Sequence, residues 1–438
     1  MSRMHSLSLA TGIGCRGIPG YQRCECQAFG FTTSRGSRMR YLVIPASTTP
    51  GLQAAGSFRL IQKVYIHIDQ RLYCKPDDEV NEVTIGERLK MARTMNGFSQ
   101  RDLASRAGVT ATAISKYERG VMVPSSGVLL KLSSALRVRV EYLMRPDVYP
   151  IHLTVPAFRS TDLSEKEEGM VKEKTREWLE RYLEVEDLFD LEQQARSSIP
   201  LGYPIRITGI QEVEQVAVKL RQEWELGNHP IESLTDLLEE KGIKVGTISA
   251  PDSFDALAFW YDDMTPVIII RDGVPGDRQR FSIAHELGHL MVEPSRDLDK
   301  EKVAHRFAGA FLVPEEVARA ELGVSRKRLD LFELHLLKHQ YGMSIQAWVH
   351  RAKDLDIIPD GEYHRIFDYL NAMGWRKCEP GDQIPPEEPR RMKRLVMRAY
   401  AEDVISASRA SELLGKSILE FCQIEEERHG GFPIEMCD

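Results

Sequence analysis

No run of 18 or more apolar residues occurs in this 438-residue chain, so no segment of it reads as a transmembrane helix. Cysteine is sparse. Seven are scattered at 15, 24, 26, 74, 378, 422 and 437, an odd number without a disulfide rhythm, which argues against a bridged secreted scaffold and for a reducing cytoplasm. Cys24 and Cys26 lack the second pair that a structural zinc knuckle needs. Residues 1–82 are almost without acids before Asp69, and no long apolar stretch there leads to a small-residue cleavage site, so they do not read as a signal peptide. Rich in Arg, Gly, Ser and Thr, they are expected to be disordered, or an upstream extension misassigned as coding, with an isolated strand at 64–68. What is present is a chain with 42% hydrophobic residues and a net charge of −7, long enough for two to four domains with ordinary cores.

The most informative stretch is His285-Glu286-Leu287-Gly288-His289. Apolar residues at 281, 283, 284, 287, 290 and 291 predict a buried helix around it. A spacing of four puts His285 and His289 on one face, one turn apart, where both imidazoles reach a single metal ion. Glu286, one residue on, is placed to meet a water beside that ion. Ala284 and Gly288 are small, so a second backbone can pack closely.

A catalytic zinc needs a third protein ligand. Glu293 is excluded because a straight helix does not converge ligands at i, i+4 and i+8. Glu301 is better placed, opening a second predicted helix with Val303, Phe307, Ala310 and Phe311 inside and Pro314 at its end. His305, one turn after Glu301, is the rival ligand, or else a packed residue beside the ligands. Tyr261, Arg278, Arg280 and His305 are the candidates for stabilising an oxyanion.

The joint pattern of Arg280-Phe-Ser-Ile-Ala-His-Glu-Leu-Gly-His289 with Glu301-x-x-Ala-x-x-Phe-Ala-Gly-Ala-Phe-Leu-x-Pro314 resembles the ImmA/IrrE family of zinc metallopeptidases, over roughly residues 205 to 355. The resemblance implies that His285, His289 and Glu301 bind Zn2+, that Glu286 is the catalytic base, and that the substrate is a protein, such as a repressor. An asparagine is usual in that family where His305 stands, and a histidine is common where Glu293 stands.

Upstream, Ile85–Met95, Ser99–Ala107, Thr110–Arg119 and Val128–Leu136 read as helices, with Ser99 and Thr110 as N-caps and Gly108 and Gly120 as stops. Two short helices about a Gly-containing turn predict a helix-turn-helix whose third helix enters the major groove. Its exposed Thr110, Ala111, Thr112, Ser115 and Lys116 are candidate DNA contacts, with Gln100 as a candidate phosphate contact. Residues 84–145 hold eleven cations and four acids, a net of +7 inside an acidic chain. The alternative is a solvated bundle used for dimerisation. Phe98-Ser-Gln-x-x-Leu-Ala104, Ile114-Ser-Lys-Tyr-Glu-Arg-Gly120 and Pro124 resemble the lambda-repressor-like (Cro and cI type, XRE) family, which implies binding to double-stranded operator DNA as a homodimer.

The expected architecture is mainly α with α+β. A disordered or misassigned extension (1–82) precedes a five-helix lambda-repressor-like domain (83–146) and an acidic helical linker (147–200). A zincin-like peptidase domain with a small antiparallel sheet (201–375) and a helical C-terminal module behind a Pro- and Glu-rich linker (376–438) follow. In the linker, Trp178, Tyr182, Val185 and Phe189 share one helical face, for core packing or for a second copy. The C-terminal helices, Arg391–Tyr400 and Ser406–Leu414, read as a capping module or a degenerate second helix-turn-helix. The resulting expectation is a cytoplasmic, non-membrane transcription regulator carrying a zinc metallo-endopeptidase. The alternative is a regulator or antitoxin-type repressor whose peptidase-like domain senses or dimerises without proteolysis.

Overall fold

The computed structural model describes residues 27–32, 38–43, 85–145, 149, 151, 163–189, 199–200, 202–262, 264–376 and 378–423. The chain divides into two units, Met1–Asp78 and Glu79–Asp438. In the first, β1 (Gln27–Thr32) and β2 (Arg38–Val43) pair antiparallel, Gln27 opposite Val43. The remainder of the expected extension, including 64–68, lies outside the described residues.

The second unit begins with five helices, α1 (Ile85–Met95), α2 (Gln100–Ala107), α3 (Ala111–Glu118), α4 (Ser126–Leu136) and α5 (Val140–Met144). Short-range chemistry sets their ends. The Ser99 hydroxyl accepts from the Asp102 amide while the Asp102 carboxylate accepts from the Ser99 amide, a reciprocal cap. Gly108, at φ 64°, ends α2 in the left-handed conformation that glycine adopts without strain. The Thr110 hydroxyl then accepts from the Ala113 amide and opens α3. Leu89, Ala92, Leu103, Ile114, Leu132 and Leu136 form the core of this domain.

The acidic connector is α6 (Glu165–Asp187), and its apolar face is core. Trp178 lies on Gly246, where a Cβ would have no room, and Tyr182 and Leu179 join Ile248, Phe254, Val267 and Ile269. Val185 packs instead with Val396, Ala410, Leu413 and Phe421 of the C-terminal segment, and Phe189 lies under the Arg398 guanidinium. Lys244 and Glu186 form an ion pair buried between α6 and the sheet. The opposite side of α6 receives the helix-turn-helix domain. Arg88 Nη1 is 2.7 Å from Glu180 Oε2, and Arg145 Nη2 is 2.8 Å from Glu177 and 2.9 Å from Glu180.

Next come β3 (Ile205–Ile207), α7 (Glu212–Glu223), α8 (Leu234–Glu240), β4 (Lys244–Ile248), β5 (Ala256–Tyr261), β6 (Thr265–Arg271), α9 (Gly276–Met291), β7 (Val292–Pro294) and α10 (Lys300–Leu312). The sheet order is β4-β6-β5. The expectation of an antiparallel sheet is corrected here: β5 and β6 form an antiparallel hairpin, but β4 runs parallel to β6. Chain neighbours pair through the tight turn at Asp262, whereas β4 arrives from α8 on the far side of β6 in the same direction as β6. Such non-local pairing leaves no mark on a strand's own alternation. Pro314 does end α10, as expected, the helix stopping at Leu312. It also serves as the N-cap position of α11 (Glu315–Leu322). Then follow α12 (Leu331–Tyr341), α13 (Ile345–Asp354) and α14 (Asp360–Ala372).

The Pro- and Glu-rich stretch does more than connect. Residues 379–389 form a strap across the start of α9. Gly276 donates to the Ile384 carbonyl, Gln279 and Glu387 exchange two hydrogen bonds, and Arg280 pairs with Glu387. The buried Lys338 ammonium holds Asp277 of α9 at 2.9 Å and Glu379 of the strap at 3.2 Å. Beyond it, α15 (Arg391–Ala401) and α16 (Ala407–Leu413) pack on α6. No helix among the described residues is long and apolar enough to cross a membrane.

Candidate functional site

The candidate metal centre is built on the contact between α9 and α10. Gly288 allows it: a Cβ there would lie 3.1 Å from the Phe307 ring and 3.2 Å from Ala304 Cα, so any larger residue would push the two helices apart. Ala284, one turn earlier, is fully buried. This close crossing brings the start of α10 over the two histidines of α9.

His285 Nε2 and His289 Nε2 are 3.1 Å apart. Glu301 Oε2 is 3.1 Å from His285 Nε2, and Glu301 Oε1 is 3.5 Å from His289 Nε2. Ligands about 2.0–2.1 Å from a tetrahedral zinc ion stand about 3.3 Å from one another. The three side chains therefore fit one such ion. Their protonation fits as well. Burial, reinforced by His285, pushes His289 down to about 4, so its imidazole is neutral at pH 7. The hydrogen bond from His285 holds Glu301 down at about 2, so it is ionised. A neutral imidazole at His289 and an ionised carboxylate at Glu301 suit a divalent cation. His285 Nδ1 is buried and has no hydrogen-bond partner among the described residues, so the ring's orientation rests on Glu301 and on packing.

Glu286 stands beside this triangle, with one donor atom each of His285, Glu286 and His289 within 4.8 Å of the others. Burial raises its carboxyl to about 7, against the opposing pull of His285 and of a hydrogen bond from the Ala258 amide. A cation at the neighbouring ligands opposes that rise. The Ala258 amide belongs to β5, the edge strand of the sheet. No sequence signal pointed to this contact, because a backbone amide has no side-chain identity.

The other candidates separate cleanly. Glu293 lies in β7, exposed and paired with Arg206 at 2.9 Å, away from the ligands. The His305 ring is 4.5 Å from the His285 ring and stacks on Phe281 at 5.7 Å, which places it on the exposed rim of the site. Arg280 is removed as an oxyanion donor: its guanidinium is buried and donates to the carbonyls of Ile231 and Glu232 and to Glu387. Arg278 is engaged with Asp255 at 2.7 Å. Tyr261 is removed as well: it ends β5 and packs with Phe259 on the α6 side of the sheet, the face opposite α9.

In the helix-turn-helix, Thr110, Thr112 and Lys116 are exposed, and Ala111 and Ser115 are partly so. Gln100 is drawn inward, its amide 2.7 Å from Glu118 Oε2, and Arg93 grips the same carboxylate. One Gln100 amide hydrogen is left for an outside partner. The net of +7 is also partly consumed, because Arg88, Arg93 and Arg145 face carboxylates within the fold and Arg139 bonds to α16. Lys90, Arg101, Lys116, Arg119, Lys131 and Arg137 remain exposed.

Residues 89–143 match the helix-turn-helix family profile, and residues 238–353 match the IrrE N-terminal-like domain of the peptidase M78 family. The chain is 42% identical over 60 residues to the SPbeta prophage-derived uncharacterized HTH-type transcriptional regulator YonR of Bacillus subtilis (strain 168), covering 14% of this chain and 56% of that protein. It is 35% identical over 65 residues to the HTH-type transcriptional regulator ImmR of the same organism, covering 15% and 51%. The chain thus spans about half the length of the curated relatives it matches. The crystal structure of Bacillus thuringiensis PlcR in complex with the peptide PapR7 and DNA aligns over 78% of this chain and 98% of that one, at 11% identity and a TM-score of 0.15, too low to place the two in a common fold.

Proposed function

We propose that this chain, which joins an XRE-type helix-turn-helix domain to an IrrE N-terminal-like peptidase domain, is a DNA-binding transcription regulator and a zinc-dependent metallo-endopeptidase. The observation that carries the peptidase reading is the convergence of His285, His289 and Glu301 to within 3.5 Å, with Glu286 alongside. In this reading those three residues hold Zn2+. When bound, zinc supplies a Lewis acid that polarises a peptide carbonyl and makes water a better nucleophile.

The protein supplies the rest. An extended substrate lies along the edge strand β5, whose main chain can pair with it. Glu286, held by the Ala258 amide, accepts the proton of the attacking water and returns it to the leaving amine. His305 on the rim is the donor placed nearest to the developing oxyanion. The helix-turn-helix places Thr110, Ala111, Thr112, Ser115 and Lys116 against the major groove, with Gln100 on a phosphate, and two copies match a two-fold operator. Cleavage of a regulatory protein then changes transcription at the site the same chain binds.

The test is digestion of a proteome-derived peptide library with blocked termini by the zinc-loaded full chain. Internal cleavage that stops with chelator and returns with zinc is the expected result. A zinc-loaded chain that leaves every internal bond intact would overturn the peptidase half in favour of a sensing or dimerising domain. Selection from randomised duplexes tests the DNA half independently.

A further inference from the structure

Between Arg390 and Arg398 five side chains are cations and none is an acid, in a chain whose net charge is −7. The inner side of α15 is occupied. Val396 and Ala399 are buried, Arg391 turns toward Glu186 at 3.4 Å, and the amides of Arg390 and Arg391 both donate to the Glu239 carboxylate, so the helix N-terminus is already capped. The outer side is different. Arg390, Lys393, Arg394 and Arg398 line an open groove of about 500 Å³ over Met397 and Ala401, with Glu388 the single acid of its lining. Arg398 is paired with Glu402, and Arg390 has Asp236 at 3.7 Å. Lys393 and Arg394, both exposed, have no hydrogen bond or ion pair to a carboxylate among the described residues. Like charges held side by side along one helix face repel, and their natural counterpart is a polyanion.

Position says which polyanion. α1 runs along α6, with Thr94 beside Gly169 and Arg88 on Glu180. Gly86, at the start of α1, lies against the Tyr117 carbonyl at the end of α3. The end of α3 thus lies against the start of α1, whose Arg88 is held by Glu180, six residues before the Glu186 that faces Arg391. Residues 180 and 186 are only about 9 Å apart along a helix axis. Arg139, beside α5, donates to the Ser408 carbonyl at 2.8 Å and to the hydroxyls of Ser408 and Ser411, tying the helix-turn-helix to α16, which packs on α15. The groove thus rides in the same packed block as the helix-turn-helix that carries α3.

We infer that the outer face of α15 is a second DNA contact, holding the phosphate backbone beside the site read by α3. It rests on the reading of α3 as a DNA reader and assigns to the C-terminal module a role in binding.

The test uses the full chain, two labelled random-sequence duplexes of about 12 and about 40 base pairs, and anisotropy titrations across salt concentration. Each phosphate neutralised contributes about 0.9 to the slope of log affinity against log salt. Lys393→Ala/Arg394→Ala is expected to lose a slope of about 2 on the long duplex. It should match the parent on the short duplex and keep the parent's melting midpoint. Lys393→Arg/Arg394→Lys should keep the parent slope. Equal slopes for the parent and the alanine variant on the long duplex would overturn the inference. So would a variant that keeps the DNA slope but no longer binds a polyglutamate peptide, which would assign the groove to an acidic protein. A parent chain that binds neither duplex would sink the reading of α3 itself, a distinguishable failure.

Discussion

Glu286→Gln is expected to slow peptide cleavage by about 10²–10⁴-fold, the usual worth of a positioned general base. Glutamine keeps the shape of the side chain and its capacity to accept the Ala258 hydrogen bond, but it cannot take up a proton. Burial raises the Glu286 carboxyl and a cation at the neighbouring ligands opposes that rise, a balance that suits a group that must accept a proton and release it within one turnover. The histidines and Glu301 are untouched by the exchange, so metal content and DNA affinity should equal those of the parent. A variant cleaving at the parent's rate would remove Glu286 from the mechanism.

The second large effect concerns the joint between the two functional halves. Glu180 is 4% exposed and accepts from Arg88, which is 1% exposed, and from Arg145. Glu180→Ala leaves two guanidinium groups in a closed interface without their shared acceptor. Removing one partner of a buried pair costs about 3–5 kcal/mol. That loss should show as an early transition in denaturant and as faster hydrogen exchange along α1. Arg88→Met/Glu180→Leu removes the charge and its partner together and should recover most of the loss. A cost for Glu180→Ala no larger than the roughly 0.5 kcal/mol of an ordinary surface change would contradict the account of this interface.

The helices of the DNA-binding half were legible because their ends are written locally. Ser99 and Asp102, Gly108, and Thr110 each act within three or four residues, and their caps form as the sequence implies. The metal centre was legible for a related reason: the four-residue spacing of His285 and His289 is itself a geometry. Glu301 was reachable only through the amphipathic pattern of a second helix, and its approach to the histidines depends on Gly288, whose significance lies in a partner sixteen or more positions on. What the sequence hid was long-range. The parallel pairing of β4 with β6, the inward engagement of Arg280 and Gln100, and the strap at 379–389 all join residues far apart in the chain. The strap was masked by its composition. Prolines and glutamates read as a solvated linker, yet the buried Glu379 and the half-buried Glu387 serve as acceptors for Lys338, Arg280 and backbone amides. A run of acids in which individual members satisfy distant cations cannot be told from a charged connector by composition alone.

The central claim is that His285, His289 and Glu301 hold one metal ion, with His305 beside them rather than among them. The most direct measurement is the metal content of the purified full chain by elemental analysis, compared with Glu301→Ala and His305→Ala. The parent and His305→Ala are expected to carry one zinc per chain, and Glu301→Ala to fall to background while still binding DNA. Stoichiometric zinc in Glu301→Ala, or its loss in His305→Ala with the fold intact, would contradict the account.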